Sequence, residues 1–220
     1  YIKGVPDGEQ ITYVFPGPMD NNKRLEYINY EEGNPVGTWT QWSRDNENRL
    51  RKTGEIIFEA GAGRWREWDP NTLVVIRAGD YENWERSGLW KSWDPQEVLV
   101  SEGEYVQGKK AGKWTWYKDG EDKGWQENYN NGVLNGKFNN LSPYADIRGI
   151  GTYNEGVKTG DWEEYYSSAD GSLERSQTGS YQFGKKVGMW SLYAKNGRRV
   201  AEGTYKDDIK EGEWTEGPDI

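Results

Sequence analysis

The sequence predicts an all-β protein, an elongated antiparallel meander of about nine stacked β-hairpin repeats forming one long twisted sheet. Three observations predict it. A short motif recurs from end to end. Its residues are strand formers punctuated by turn formers. No stretch of helical period survives between the glycines.

The motif is Gly-x-Trp-x-x-Tyr/Trp. It stands at Gly37-Trp39-Trp42, Gly63-Trp65-Trp68, Gly88-Trp90-Trp93, Gly112-Trp114-Tyr117, Gly160-Trp162-Tyr165 and Gly188-Trp190-Tyr193. Gly136-Phe138 has Phe in the Trp slot, Gly212-Trp214 is truncated, and Gly8-Gln10-Tyr13 is degenerate. The nine anchor glycines (8, 37, 63, 88, 112, 136, 160, 188, 212) lie 29, 26, 25, 24, 24, 24, 28 and 24 residues apart. They define one repeat domain over residues 1–220, with insertions at 16–22 and 167–172. Upstream of each anchor runs Tyr-x-x-Gly, clearest at Tyr30-Gly33, Tyr105-Gly108, Tyr129-Gly132, Tyr153-Gly156 and Tyr181-Gly184. Another glycine stands two before the Tyr slot at Gly79, Gly103, Gly151, Gly179 and Gly203.

Composition fits this reading. Only 33% of residues are hydrophobic, which by itself suggests disorder, yet 15% are aromatic, with 13 Trp and 15 Tyr. Each buried ring removes roughly 150–250 Å² from water, so the core is expected to be aromatic rather than aliphatic.

Each unit reads as two short strands and two turns. One turn is expected at Gly108-Lys109-Lys110-Ala111-Gly112 and its counterpart at 184–188. The other is expected at Asp119-Gly120, Asp170-Gly171 and Asn196-Gly197. With Lys109 and Lys110 central to the first turn, Tyr105 directly opposes Trp114. The same count pairs Tyr30 with Trp39, Ile56 with Trp65, Tyr81 with Trp90, Tyr129 with Phe138, Tyr153 with Trp162, Tyr181 with Trp190 and Tyr205 with Trp214. These residues form the expected structural core. The second aromatic follows the Trp by three, which puts it on the opposite face unless a bulge or strand end re-aims it.

The assembled consensus, G-x-Y-x-x-G-x-x-x-G-x-W-x-x-Y with Asp-Gly or Asn-Gly between copies, resembles the MORN repeat family. It is most similar to the bacterial-type second variant, over about residues 1–215. The resemblance implies an elongated sheet of stacked hairpins and a scaffold or protein-interaction role, as a subunit or accessory protein of a larger assembly. Some bacterial members carry an antitoxin label. It implies no catalytic motif.

The expected partner is therefore another protein, and an enzyme is not expected. With no Cys and no His, thiolate and imidazole metal sites and Ser-His-Asp chemistry are excluded, and no cofactor motif is present. A net charge of -9 disfavours nucleic acid and anionic membrane, and no apolar run is long enough to span a bilayer. The alternative is a carbohydrate-binding module at a cell surface, stacking pyranose rings on exposed Trp and Tyr. Trp84, Trp125 and Tyr144 stand outside the consensus slots and are the candidate interaction residues. Carboxylates such as Glu163 and Glu164 read as solvated surface. The lysine pairs 109–110 and 185–186 read as solubilising turn tips. A first residue other than Met, high polarity and the bacterial-type repeat point to an exported protein, with a cytoplasmic antitoxin-like role as the other expectation.

Overall fold

The computed structural model describes residues 8–14, 24–117, 120, 125–141, 148–166 and 172–217. The described residues contain strands and turns and no helix. The chain divides into two compact units, Tyr1–Lys110 with Trp116–Asp122, and Ala111–Thr115 with Lys123–Ile220.

The first unit holds β1 (Gly8–Val14), β2 (Arg24–Glu31), β3 (Asn34–Arg44), β4 (Leu50–Phe58), β5 (Gly63–Trp68), β6 (Val75–Glu82), β7 (Glu85–Trp93) and β8 (Leu99–Val106). Each pairs antiparallel with the next. The strand β9 (Lys109–Trp116) contributes its middle to the second unit. There it pairs with β10 (Gln126–Asn130), followed by β11 (Val133–Asn140), β12 (Gly149–Asn154), β13 (Val157–Tyr165), β14 (Arg175–Gln182), β15 (Lys185–Tyr193), β16 (Arg199–Lys206) and β17 (Ile209–Glu216). These too are antiparallel neighbours in sequence order.

The expected hairpin register is corrected by the structure. The tight turn lies two residues earlier than the lysine pairs. Asn154 pairs with Val157, leaving Glu155 and Gly156 at φ 48° and 81° as the two central residues. Likewise Gln182 pairs with Lys185 around Phe183 and Gly184, at φ 50° and 78°. Two positive φ values define the type I′ turn, whose twist matches that of the flanking strands. The glycine of Tyr-x-x-Gly supplies the second left-handed position, and lysine has no such tolerance. Tyr181 therefore opposes Lys186, not Trp190.

The anchor glycine does a different job. Between the pairs Thr152–Thr159 and Ile150–Glu163, the single residue Gly151 faces Gly160, Asp161 and Trp162. Gly160 sits at φ +64° in this bulge, with open space where a Cβ would stand. The bulge swings the indole of Trp162 over Gly151, where a Cβ would lie 2.2 Å from the ring. Tyr153 and Trp162 still touch edge to face at 5.0 Å, but diagonally rather than directly across. The same contact recurs for Tyr81–Trp90 at 5.6 Å, Tyr181–Trp190 at 5.0 Å and Tyr205–Trp214 at 5.0 Å.

Between hairpins the pattern interlocks. Gly160 opposes Tyr181 while Trp162 opposes Gly179. Gly188 and Trp190 face Tyr205 and Gly203, and Gly88 and Trp90 face Tyr105 and Gly103. On these strands each large ring thus has a glycine across from it, which is why both glycines of the consensus accompany both aromatics; Trp39 and Trp114, opposite Ile56 and Glu127, are exceptions.

Three further units depart from the expected pairs. Phe58, not Ile56, fills the Tyr slot. It opposes Gly37 and packs edge-on against Tyr81 at 5.8 Å. Ile56 instead opposes Trp39. Phe138 opposes Glu127 rather than Tyr129, and Tyr30 opposes Pro35 rather than Trp39.

The second turn is also not the expected type. At Asn196-Gly197 only Gly197 has positive φ, and its amide donates to the Ala194 carbonyl at 2.9 Å. This is a type I turn closed by one left-handed residue. Asp45 and Asp94 open the equivalent turns. Each carboxylate accepts backbone amides, from Glu47 and Arg49 and from Gln96 and Val98 respectively. Asp119 and Asp170-Gly171 lie outside the described residues.

The second aromatic lies on the face opposite the Trp. The Tyr165 hydroxyl donates to Glu163 at 2.8 Å, two residues away on the same face of β13. The extra residue sits on β14, between the pairs Glu164–Gln177 and Tyr165–Arg175. Both faces are therefore partly covered.

Candidate functional site

A one-layer sheet must close its aromatic core with its own side chains. Trp162 and Trp190 are 1% and 0% exposed. Part of the cover is cationic. The Lys158 ammonium lies 4.5 Å from the Trp162 ring centroid and 5.0 Å from that of Tyr181. Lys186 repeats this over Trp190 and Tyr205 at 4.5 and 5.1 Å, and Arg86 over Trp90 and Tyr105 at 4.6 and 5.3 Å. Each such contact contributes about 0.5–2 kcal/mol, more where water is excluded. The expected solubilising tip at 185–186 is therefore corrected: Lys186 is a half-buried lid on two rings. The signal was present, because Arg86, Lys110, Lys158, Lys186 and Lys210 each follow the Tyr slot by five.

The Glu163–Glu164 pair is likewise split between faces. Glu164 has a side chain only 15% exposed and pairs with Lys158. It also accepts from Gln177 and, at 2.9 Å, from the Tyr181 hydroxyl. Gln177 in turn accepts from Lys186 at 2.7 Å, so the network links successive hairpins. Burial pushes the Glu164 carboxyl up, but Lys158, Gln177 and Tyr181 outweigh it and hold it below its ordinary value. Burial, aided by Glu164, raises the Tyr181 hydroxyl pKa. Burial lowers that of Lys186, against the pull of Glu164 and Asp208. Because the Glu164 pKa is depressed on folding, its contribution is present above about pH 4.5 and lost as pH falls. The urea midpoint should decline with acid below that pH. Glu164→Gln should flatten the decline, and an unchanged pH profile in that variant would contradict this role.

Of the expected core residues, Trp65, Trp90, Trp114, Tyr153, Trp162, Tyr181 and Trp190 are buried. Tyr30, Trp39, Tyr81, Tyr105, Tyr205 and Trp214 are half-buried. Trp84 is 36% exposed in a left-handed turn position at φ 61°. It is not a free platform. Its ring lies over Gly61, and its indole N–H donates to the Pro35 carbonyl at 2.7 Å. Trp125 is half-buried, and Tyr144 lies outside the described residues.

Among the described residues, the most exposed aromatic stands outside the candidates above. Phe183 is 86% exposed at the tip of the β14–β15 hairpin. Its φ of +50° belongs to a turn position where Asn or Gly is favoured. In other turns this slot holds Glu32, Asn131, Glu155 or Asp207, and that contrast is the signal that marks it. Ile209 opens β17 at 70% exposure. Phe183→Asn should raise stability by about 1 kcal/mol by relieving the left-handed conformation. Chemical denaturation checks it, and an unchanged or lower midpoint would contradict strain at this site.

Among the described residues, no group of three or more Asp and Glu side chains is placed to hold a metal ion. No family model matches the chain, and no curated protein matches it.

Proposed function

We propose that this chain is a MORN-like repeat protein that acts as a non-enzymatic interaction or scaffold module within a larger assembly. One observation carries the reading. The fold buries the consensus indoles of Trp65, Trp90, Trp114, Trp162 and Trp190 yet holds Phe183 in a strained turn with 86% of its surface in water. Strain and exposure that do nothing for folding mark a contact residue. A sugar platform needs open indole faces, and those of Trp162 and Trp190 are covered by their own hairpin and the one that follows. Tryptophan fluorescence should accordingly stay flat across a glycan titration. The direct test places a photo-crosslinking amino acid at Phe183 and, as a control, at Lys195 in another turn. Discrete crosslinked species in native extract from position 183 alone are expected. None at 183, or the same species from both positions, would remove the reading.

A further inference from the structure

We propose that the first unit binds a proline-rich segment of a partner protein in the polyproline II conformation, with proline at every third residue, across Trp42, Trp68 and Trp93. The inference rests on the interaction-module reading and adds a second contact face and the chemistry of the segment that fills it.

The three indoles share one slot of the repeat. Each follows the core indole of its strand by three, on β3, β5 and β7, as Tyr165 does on β13. They therefore stand on alternate strands, on the face opposite the core rings. Val75 opposes Trp68 and Leu99 opposes Trp93, and these continue the apolar surface. All five residues are half-buried.

The second unit covers this slot with its own polar side chains. Arg175 pairs with Glu163 at 3.1 Å and lies 5.7 Å from the Tyr193 ring. In the first unit, among the described residues, no second ring or cation lies over Trp42, Trp68 or Trp93. The Trp42 indole N–H donates to the Thr40 hydroxyl at 3.3 Å. Those of Trp68 and Trp93 find no acceptor among the described residues and are open to water. This face thus offers two free donors set in an apolar row.

The period selects the occupant. Alternate strands lie about 9.6 Å apart. Polyproline II rises about 3.1 Å per residue with three residues per turn, so every third proline recurs at about 9.3 Å. A helix returns to one face after seven residues, at about 10.5 Å, and its carbonyls are already bonded. Polyproline II has no internal hydrogen bonds. Its carbonyls are free to accept from Trp68 and Trp93, and its course can follow the twist of the sheet. Aromatic-lined surfaces recognise such segments because their conformation is set before binding. A second copy of this chain does not fit, because no two of its prolines stand three residues apart.

Charge selects a residue between the prolines. Arg66 is exposed two residues before Trp68, on the same face. Glu55, directly across, pairs with Lys52. Lys91, the counterpart before Trp93, pairs with Glu102 at 2.9 Å. Among the described residues Arg66 has no ion pair, so the segment's central triplet calls for a carboxylate.

The probe is a fluorescein-labelled peptide, Pro-Ala-Glu-Pro-Ala-Glu-Pro-Ala-Glu-Pro. Fluorescence anisotropy against the 220-residue chain should show saturable binding. Moving the prolines to every fourth position should weaken it by about ten-fold, as should Trp68→Ala in a protein whose dichroism is unchanged. Arg66→Glu, at an exposed site, should weaken it by about as much and then favour the peptide with Lys in place of Glu. Absent binding, or binding indifferent to proline spacing and to Arg66→Glu, overturns the proposal. So does displacement of the peptide by a soluble polysaccharide, since the indole row then belongs to a sugar. Failure here alongside discrete crosslinks from Phe183 retires this face alone, whereas failure of both retires the interaction reading as well.

Discussion

Trp190→Ala should destabilise the second unit by about 3–5 kcal/mol, the range for removing a large buried ring. Trp190 is 0% exposed and touches Tyr181 and Tyr205 on either side, with Lys186 above. Truncation leaves a void that Tyr205 cannot fill, because its backbone is fixed opposite Gly188. It also strands a half-buried ammonium that had two rings beneath it. A domain is stable by only about 5–15 kcal/mol in all, so the loss is a large share. Trp214→Ala, at a half-buried site, should cost roughly half as much. Urea unfolding followed by far-ultraviolet dichroism reads both. Equal losses at the two sites would mean that the neighbouring hairpin adds nothing to the indole.

Gly179→Ala should cost about 1–3 kcal/mol, the usual penalty for forcing atoms into a filled space. An added Cβ would stand 2.3 Å from Trp190 Cδ2, and the ring has no room to retreat beneath Tyr205 and Lys186. Gly188→Ala should also destabilise, by about 1–2 kcal/mol, for another reason. Its Cβ would meet nothing within 4 Å, but its φ is +67°. The double variant separates the mechanisms. In a Trp190→Ala background, Gly179→Ala should cost little, because the clash is gone, while Gly188→Ala should keep its full cost. Such coupling between touching residues is what a double-mutant cycle measures. Additive losses for Gly179 and Trp190 would show that the ring does not rest on that glycine.

Much of this was legible in the sequence, for a physical reason. A repeat in which every hairpin packs on the next must restate its packing residues, so Trp162, Trp190 and their counterparts announced the strands and the core. What was misread was register. Counting back from Trp162 to Tyr153 assumes an unbroken ladder. The bulge at Gly160 adds residues to one strand only, and a glycine on paper does not say whether it serves a turn or a bulge. Where both occur, as at Gly156 and Gly160 or Gly184 and Gly188, they stand four residues apart. The cationic lids were hidden by convention: Lys186 reads as solvent-facing until the rings are known to lie beneath it. Phe183 was hidden because it stands outside the repeat's aromatic slots, and only its turn geometry and exposure single it out.

The indoles of Trp65, Trp90, Trp162, Trp190 and Trp214 each rest on a glycine of their own hairpin. Nuclear magnetic resonance of the glycine α-protons tests it most directly. Gly151, Gly179 and Gly203 lie under the rings of Trp162, Trp190 and Trp214. One α-proton of each should be shifted well upfield by the ring current and show a nuclear Overhauser contact to the indole, while those of Gly160 and Gly188 should show neither. Ordinary shifts for all five glycines, without indole contacts, would contradict the account.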